Sequence, residues 1–436
     1  MGETKQYHVK KLNPREEYEI RVPGSKSITN RALLLAALSH QECLLTGVLF
    51  SDDTRGFLDC LIQLGFDVEI EEEKSQVRIK GTGGKIPNGN ATINVRSAGT
   101  AARFLTVALA FAGGDYKLEA SEQMQKRPME PVLKILENMN VKFRYNNKRY
   151  HFPFELSSHM APEGVFEITI DTGLSSQFAS ALLMAACLLP YGAIIHMTGM
   201  RTEGSYIKMT LAMMEQFGIN VKKEISDGAT YYIKHQTDWG VNQYEIEPDV
   251  SAACYFYAMA PLIKTDVIVK GVHLDSLQGD IQFLHVLELM GCEKEDTPEG
   301  IRMKGRKTQL HGVDVSMKDF SDQTMTLAAI APFADTPTTI RNIGHIRFQE
   351  SDRIHAIVTE LTRMGIQCEE DAQIDGIRIE PGKVKNTEIN TYEDHRMAMA
   401  FALPGLCTGQ ITILNPDCCR KTFENYFDVI DSLYDK

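Results

Sequence analysis

Basic residues recur in this chain where a helix should disfavour them. Turns of small polar or charged residues, each followed by a long Ala-, Leu- and Met-rich stretch, mark helix starts, and Lys26, Arg31, Arg103, Arg353 and Arg396 stand at or just inside them. The positive end of the helix macrodipole disfavours a cation in the first turn. One such residue would pass for a solvated surface charge. Their recurrence in a chain of net charge −12 fits a bound anion better, because backbone N–H groups, dipole and side chains would then all attract it. Arg127, in a Lys-Arg-Pro turn ahead of a helix expected near Pro128, and Lys421, expected to open the last helix, extend the basic set. The chemistry indicated is capture of small anions. Gly24 and Gly99 would let backbone come close to a ligand, but neither lies in a Walker loop or a GxGxxG fingerprint. ATP and NAD are therefore not implied, and no cofactor is expected. The nine cysteines lack paired CxxC spacing, and adjacent Cys418 and Cys419 make poor ligands alone, so neither a metal nor structural disulfides are expected.

The elements that must position these residues form a sixfold repeat. Its copies begin at Ser25-Lys26-Ser27, Ser97-Ala98-Gly99-Thr100, Ser175-Ser176-Gln177, Asp249-Val250-Ser251, Ser321-Asp322-Gln323 and Glu393-Asp394-His395-Arg396, at spacings of 72, 78, 74, 72 and 72 residues. In each copy a second, more amphipathic helical stretch follows, usually ending in glycine: Phe57 to Leu64 before Gly65, Tyr206 to Phe217 before Gly218, Phe283 to Met290 before Gly291, and Ile354 to Met364 before Gly365. Glycine there suits a left-handed C-terminal cap, and the segments beyond alternate like strands. Each unit therefore reads as strand, buried helix, strand, exposed helix, strands. Six equivalent helix N-termini, three per lobe, would converge on a shared cleft.

With 436 residues, 43% of them hydrophobic, the chain can bury a large core in two or three domains. Neither a bilayer-spanning apolar run nor an N-terminal signal core is present, so a cytoplasmic protein is expected. The acidic balance argues against nucleic acid or membrane as a partner.

Together these residues resemble one family closely, the 3-phosphoshikimate 1-carboxyvinyltransferases or EPSP synthases. The matching stretches are Pro23-Gly24-Ser25-Lys26-Ser27-Ile28-Thr29-Asn30-Arg31, Ala98-Gly99-Thr100-Ala101-Ala102-Arg103, Ser175-Ser176-Gln177-Phe178, Glu350-Ser351-Asp352-Arg353, Asp394-His395-Arg396-Met397-Ala398 and Lys421-Thr422-Phe423. The resemblance implies an α/β (α+β) fold, a two-lobed inverse α/β barrel of six βαβαββ-type units, three per lobe. One lobe would span 21–246 and the other 1–20 plus 247–436, with crossings near 20–24 and 243–249 that let the lobes close on substrates. It implies transfer of the enolpyruvyl group of phosphoenolpyruvate to the 5-hydroxyl of shikimate 3-phosphate, releasing phosphate on the route to chorismate and the aromatic amino acids. It also favours a monomer.

The resemblance also implies roles. Asp322, which alone would read as a helix N-cap, becomes the base for the acceptor hydroxyl. Glu350 and Lys26 are the candidates for moving the proton at C3. Lys26, Gly99, Arg127, Gln177, Arg353, Arg396 and Lys421 are assigned to phosphoenolpyruvate, since arginine's fork suits carboxylate and phosphate. Lys26, Ser25, Ser27, Arg31, Ser175, Ser176, Gln177, Asp322 and Gln349 are assigned to shikimate 3-phosphate, and His395 is read as an orienting residue.

Three departures stand out. Gln349 occupies a place where many relatives have Lys, which leaves a cationic contact missing or supplied by Arg347. His345 replaces an Asn or similar residue. Glu203 stands where a Ser is frequent, and a carboxylate beside the acceptor's phosphate would repel it, passing the role to Ser205 or Thr202. Gly99 leaves room for glyphosate in the phosphoenolpyruvate subsite, with bulky Phe104 nearby, so competitive inhibition is expected. The related UDP-N-acetylglucosamine enolpyruvyl transferases carry a reactive Cys on a mobile loop, and the stretch from Ser121 to Arg127 has none. A catalytically silent anion-binding protein is the alternative of another class, suggested only by Gln349 and Glu203.

Overall fold

Six helices follow the six turn motifs: Lys26–Leu38 (α1), Gly99–Ala112 (α2), Ser176–Ala186 (α3), Val250–Ile263 (α4), Thr324–Ile330 (α5) and His395–Thr408 (α6). The computed structural model describes residues 5–161, 163–173, 175–199, 202–226 and 228–435. Side-chain caps fix four of these starts: Ser25 accepts from the Ile28 N–H, Ser175 from Gln177, Asp249 from Ala252 and Asp394 from Arg396. The fifth opens differently, through a 3-10 turn over Ser321–Gln323 that runs into α5. All six are apolar nearly all round and buried on nearly every side, as such helices must be.

The second helix of each copy is amphipathic and partly exposed: Asp52–Gln63, Glu130–Asn138, Ser205–Gln216, Phe283–Leu289, Arg353–Arg363 and Tyr426–Tyr434. Gly65, Gly218, Gly291 and Gly365 take the left-handed conformation beyond four of them, and Asn140, at φ 65°, does so in the second copy. The helix expected near Pro128 begins at Glu130.

The chain divides into two units, one continuous (Gly24–Ile246) and one discontinuous (Met1–Pro23 with Glu247–Lys436). In the continuous unit α2 packs against both α1 and α3. Three four-stranded sheets accompany them, ordered Gln243–Glu245, Glu42–Thr46, Gln76–Lys80, Val68–Glu71; Asn90–Asn94, Gly114–Glu119, Phe154–Ser158, Lys142–Tyr145; and Phe166–Asp171, Ala193–Thr198, Gly228–Ile233, Val221–Ser226. Each has a parallel first pair followed by antiparallel pairs.

In the discontinuous unit α4, α5 and α6 pack pairwise. Its sheets repeat the scheme, with parallel pairs Glu17–Ile20 and Asp266–Lys270, Asp314–Ser316 and Thr338–Arg341, and Thr387–Ile389 and Ile411–Leu414. The last is completed by Gln6–Val9, antiparallel to Ile411–Leu414. The strand immediately before α1 therefore does not serve its own copy. Glu17–Ile20 joins the discontinuous unit, and Gln243–Glu245, the last strand of the continuous unit, takes the corresponding place beside Glu42–Thr46.

Candidate active site

In the continuous unit the helix starts gather the expected basic residues. Lys26 lies in the first turn of α1, its Nζ 3.7 Å from Oδ2 of buried Asp53 in the first turn of Asp52–Gln63. Arg103, one turn into α2, donates to Gln177 Oε1 at 2.6 Å and to the Gly99 carbonyl at 3.3 Å, with its guanidinium over the Phe178 ring. Gly99 is the point of convergence. A Cβ there would meet Arg127 Nη1 at 2.7 Å and Arg103 Nη1 at 2.8 Å, so two guanidinium tips close on one helix N-terminus. Two like charges at the positive end of a dipole describe an anion site.

Ser25 and Ser175 are the caps of α1 and α3, and Ser27 and Ser176 occupy the adjoining first turns. A hydroxyl that accepts from backbone keeps its proton to donate.

Arg31 is placed differently. It is 1% exposed, donates Nε to Thr210 Oγ1 (2.8 Å), Nη1 to the Ser27 carbonyl (2.9 Å) and Nη2 to Ser180 Oγ (3.2 Å), and lies between the Phe104 and Tyr206 rings. Burial lowers its pKa to about 10. Phe104 is itself fully buried there. Arg31 thus ties α1 to α3 and to Ser205–Gln216 and does not present its guanidinium at the surface. At Gly24 a Cβ would lie 1.8 Å from the Gly47 carbonyl, so the close approach of these two chain segments itself requires glycine there.

The discontinuous unit carries a knot of carboxylates and guanidinium groups. Arg353, at the start of Arg353–Arg363 and 1% exposed, donates Nε to Asp394 Oδ2 (2.8 Å), Nη1 to Asp322 Oδ1 (3.0 Å) and to Gln349 Oε1, and Nη2 to Glu350 Oε2 (3.1 Å). Burial alone would lower its pKa, but Asp394, Glu350 and Asp322 outweigh it and hold it above the usual arginine value. Arg396, in the first turn of α6, donates Nη2 to Asp322 Oδ2 at 2.7 Å. Asp322 therefore bridges two guanidinium groups and is not the cap its sequence context suggested; no side chain caps the turn it occupies.

Lys421 closes a 3-10 turn over Pro416–Lys421, and the last helix begins only at Tyr426, which corrects its expected place at a helix start. Its buried Nζ makes no hydrogen bond among the described residues and lies 3.7 Å from Glu350 Oε1. His395 is buried beside Asp394.

The departures find partners. Gln349 turns its carbonyl to Arg353. Arg347, the suggested substitute cation, is engaged by Asp352 at 3.0 Å and by Glu370, and so is held outside this knot. His345 Nε2 is 2.8 Å from Ser321 Oγ, beside Asp322 in sequence. Glu203 is paired with Lys223, which neutralises the feared repulsion locally. Sequence reasoning missed Asp394 as a keystone. It caps α6, takes two bonds from Arg353 and accepts from Ser351 Oγ at 3.0 Å; its only signal was the acid before a helix start.

Two solved structures share this arrangement of elements. An EPSP synthase from Acinetobacter baumannii superposes with a TM-score of 0.81 at 22% identity, covering 99% of this chain and 98% of that one. The enolpyruvyl transferase NikO from Streptomyces tendae does so with a TM-score of 0.75 at 15% identity, covering 98% and 96%. The fold is that of the enolpyruvyl transferases, the two-lobed inverse barrel that the family resemblance implied. Sequence narrows the class. Residues 13–430 match the family described as EPSP synthase (3-phosphoshikimate 1-carboxyvinyltransferase). The chain is 42% identical over 416 residues to the 3-phosphoshikimate 1-carboxyvinyltransferase of Nostoc punctiforme, covering 95% of this chain and 96% of the relative. It is 36% identical to 3-phosphoshikimate 1-carboxyvinyltransferase 2 of Halalkalibacterium halodurans, covering 97% and 93%. The chain belongs to the EPSP synthase family.

Proposed function

We infer that this protein transfers the carboxyvinyl group of phosphoenolpyruvate to the 5-hydroxyl of shikimate 3-phosphate, releasing inorganic phosphate on the route to chorismate. The family supports the reaction, and one observation carries the residue roles: the Asp322 carboxylate held between Arg353 and Arg396, with Glu350 between Arg353 and Lys421. Two carboxylates and three cations so arranged can exchange partners when anions arrive. A phosphoenolpyruvate carboxylate and phosphate would draw the guanidinium groups from Asp322, and its freed oxygens would become basic.

The steps then balance. The acceptor oxygen bonds to C2 of phosphoenolpyruvate and gives its proton to Asp322, while C3 takes a proton from Glu350 or Lys26. The resulting adduct carries both the new C–O bond and the phosphate on C2. Loss of the C3 proton and cleavage of the C2–O bond to phosphate restore the double bond. In this reading Lys26, Gly99, Arg127, Gln177, Arg353, Arg396 and Lys421 hold phosphoenolpyruvate. Ser25, Ser27, Ser175, Ser176, Lys26, Gln177, Asp322 and Gln349 hold shikimate 3-phosphate, and Arg31 acts as a positioning residue through Ser27. Among the described residues no helix is long and apolar enough to cross a membrane. The reading takes the protein as a cytoplasmic monomer.

The test follows phosphate release with phosphoenolpyruvate and shikimate 3-phosphate, weighing the organic product by mass spectrometry with UDP-N-acetylglucosamine as a parallel acceptor. A carboxyvinyl adduct on shikimate 3-phosphate alone is expected. Folded protein silent with both acceptors would overturn the reading in favour of anion binding without chemistry.

A further inference from the structure

The loop after Asp266–Lys270 returns to the start of α4. Gln278 fastens it there, donating to Glu247 Oε2 (3.1 Å) and the Pro248 carbonyl (2.8 Å) and accepting from the Val250 N–H (3.0 Å). Two residues on lies Asp280, 4% exposed, and one of its oxygens, Oδ2, accepts from both Ser251 Oγ and Gln323 Nε2, the latter at 2.9 Å. Gln323 adjoins Asp322 in the chain, and its own Oε1 accepts from Thr326 Oγ1 at 2.9 Å. A buried carboxylate thus bridges the first turn of α4 and the turn that carries Asp322. The charged groups facing it are Asp322 and Arg396; Cys254, whose thiol donates to the Asp280 backbone carbonyl, feels both Asp280 and Asp249 at the cap of α4.

We propose that Asp280 is a positioning residue for Asp322, fixing its turn through Gln323 and keeping it basic by placing a second negative charge beside the Arg396–Asp322 pair. The proposal rests on the reading of Asp322 as the base. Burial, and next the Asp322 charge, push the Asp280 carboxyl up to about 6, against the pull of Arg396 and the hydrogen bonds from Ser251 and Gln323. Above that pH Asp280 is charged and raises the proton affinity of Asp322. Below it Asp280 is neutral and Asp322 becomes a weaker base. Turnover should fall on the acid side of about pH 6, while phosphoenolpyruvate binding, helped by a less negative site, should hold.

The experiment measures kcat and both KM values across roughly pH 5 to 9 for the wild type, Asp280→Asn and Ser251→Ala. Because both donors use one oxygen, Asn can keep both bonds and remove only the charge. Asp280→Asn is expected to lower kcat roughly 3- to 10-fold near neutral pH, leave the phosphoenolpyruvate KM unchanged or lower, and abolish the acid limb. Ser251→Ala removes a donor from the charged form, and the limb should move to higher pH. Folded Asp280→Asn with wild-type kcat and limb would overturn the proposal. If Asp280→Asn fails to fold, Ser251→Ala decides, and a limb that stays in place overturns it. Absence of turnover in the wild type would instead strike the proposed function, before any variant is made.

Discussion

Arg353 sets the arithmetic of the site at the scale of single residues. Its donors reach three carboxylates and the Gln349 carbonyl from a position closed to solvent, and the planar fork cannot be copied by a point-charge ammonium. Arg353→Lys should cost on the order of 3–5 kcal/mol in urea denaturation and lower kcat at least about 100-fold. Gly99→Ala places a methyl against two guanidinium tips that can yield, so the fold should survive while the KM for phosphoenolpyruvate rises several-fold. Glyphosate should compete with phosphoenolpyruvate in the wild type; turnover that no concentration slows would refute this. Asp280 gives a stability signature of the opposite sign. Its folded-state pKa is raised from 3.8 to about 6, so the folded chain is penalised as pH rises through that interval and fully above it. Asp280→Asn should therefore stabilise the protein at pH 8 by on the order of 2–3 kcal/mol and make no difference below about pH 4, a comparison that thermal melts at the two pH values can read. The basic residues were legible because helix starts made them anomalous. Asp280 and the keystone role of Asp394 were not, because their partners lie 29 to 43 residues away in sequence and only folding brings them together.

Caps decide the elements. Four of the six buried helices start on Ser or Asp side chains that accept from backbone, and this is why the turns could be read at a regular spacing. The boundaries that sequence misplaced are those without such a signal. Lys421 ends a 3-10 turn opened by Pro416, and a proline at the first position looks alike whether a 3-10 turn or an α-helix follows. The strands at the sheet edges were less legible still, since Gln243–Glu245 and Glu17–Ile20 are short and their partners are assigned only by the fold. Asn140 offers a test of the C-terminal cap. At φ 65° it should be replaced by glycine with little effect, whereas Asn140→Val should destabilise by about 1–2 kcal/mol, measured by urea denaturation.

At the scale of the whole molecule, the unequal threading of the two units governs what each can do alone. The continuous unit contains every strand of its three sheets, so residues 24–246 expressed by themselves should fold and melt cooperatively by circular dichroism. The discontinuous unit depends on the first twenty residues, which supply Gln6–Val9 to Ile411–Leu414 and Glu17–Ile20 to Asp266–Lys270. A chain lacking residues 1–20 should retain only the transition of the continuous unit.

The pairing of Gln6 with Leu414 also carries a timetable. A ribosome adds roughly 5–20 residues each second, so the N-terminal strand leaves the exit tunnel and waits some tens of seconds for a partner not yet made. Residues 24–246 are complete about halfway through that wait. Gln6–Val9, made early, is thus among the last strands to be seated, and until the final segment emerges its unpaired edges are what a nascent-chain chaperone would meet.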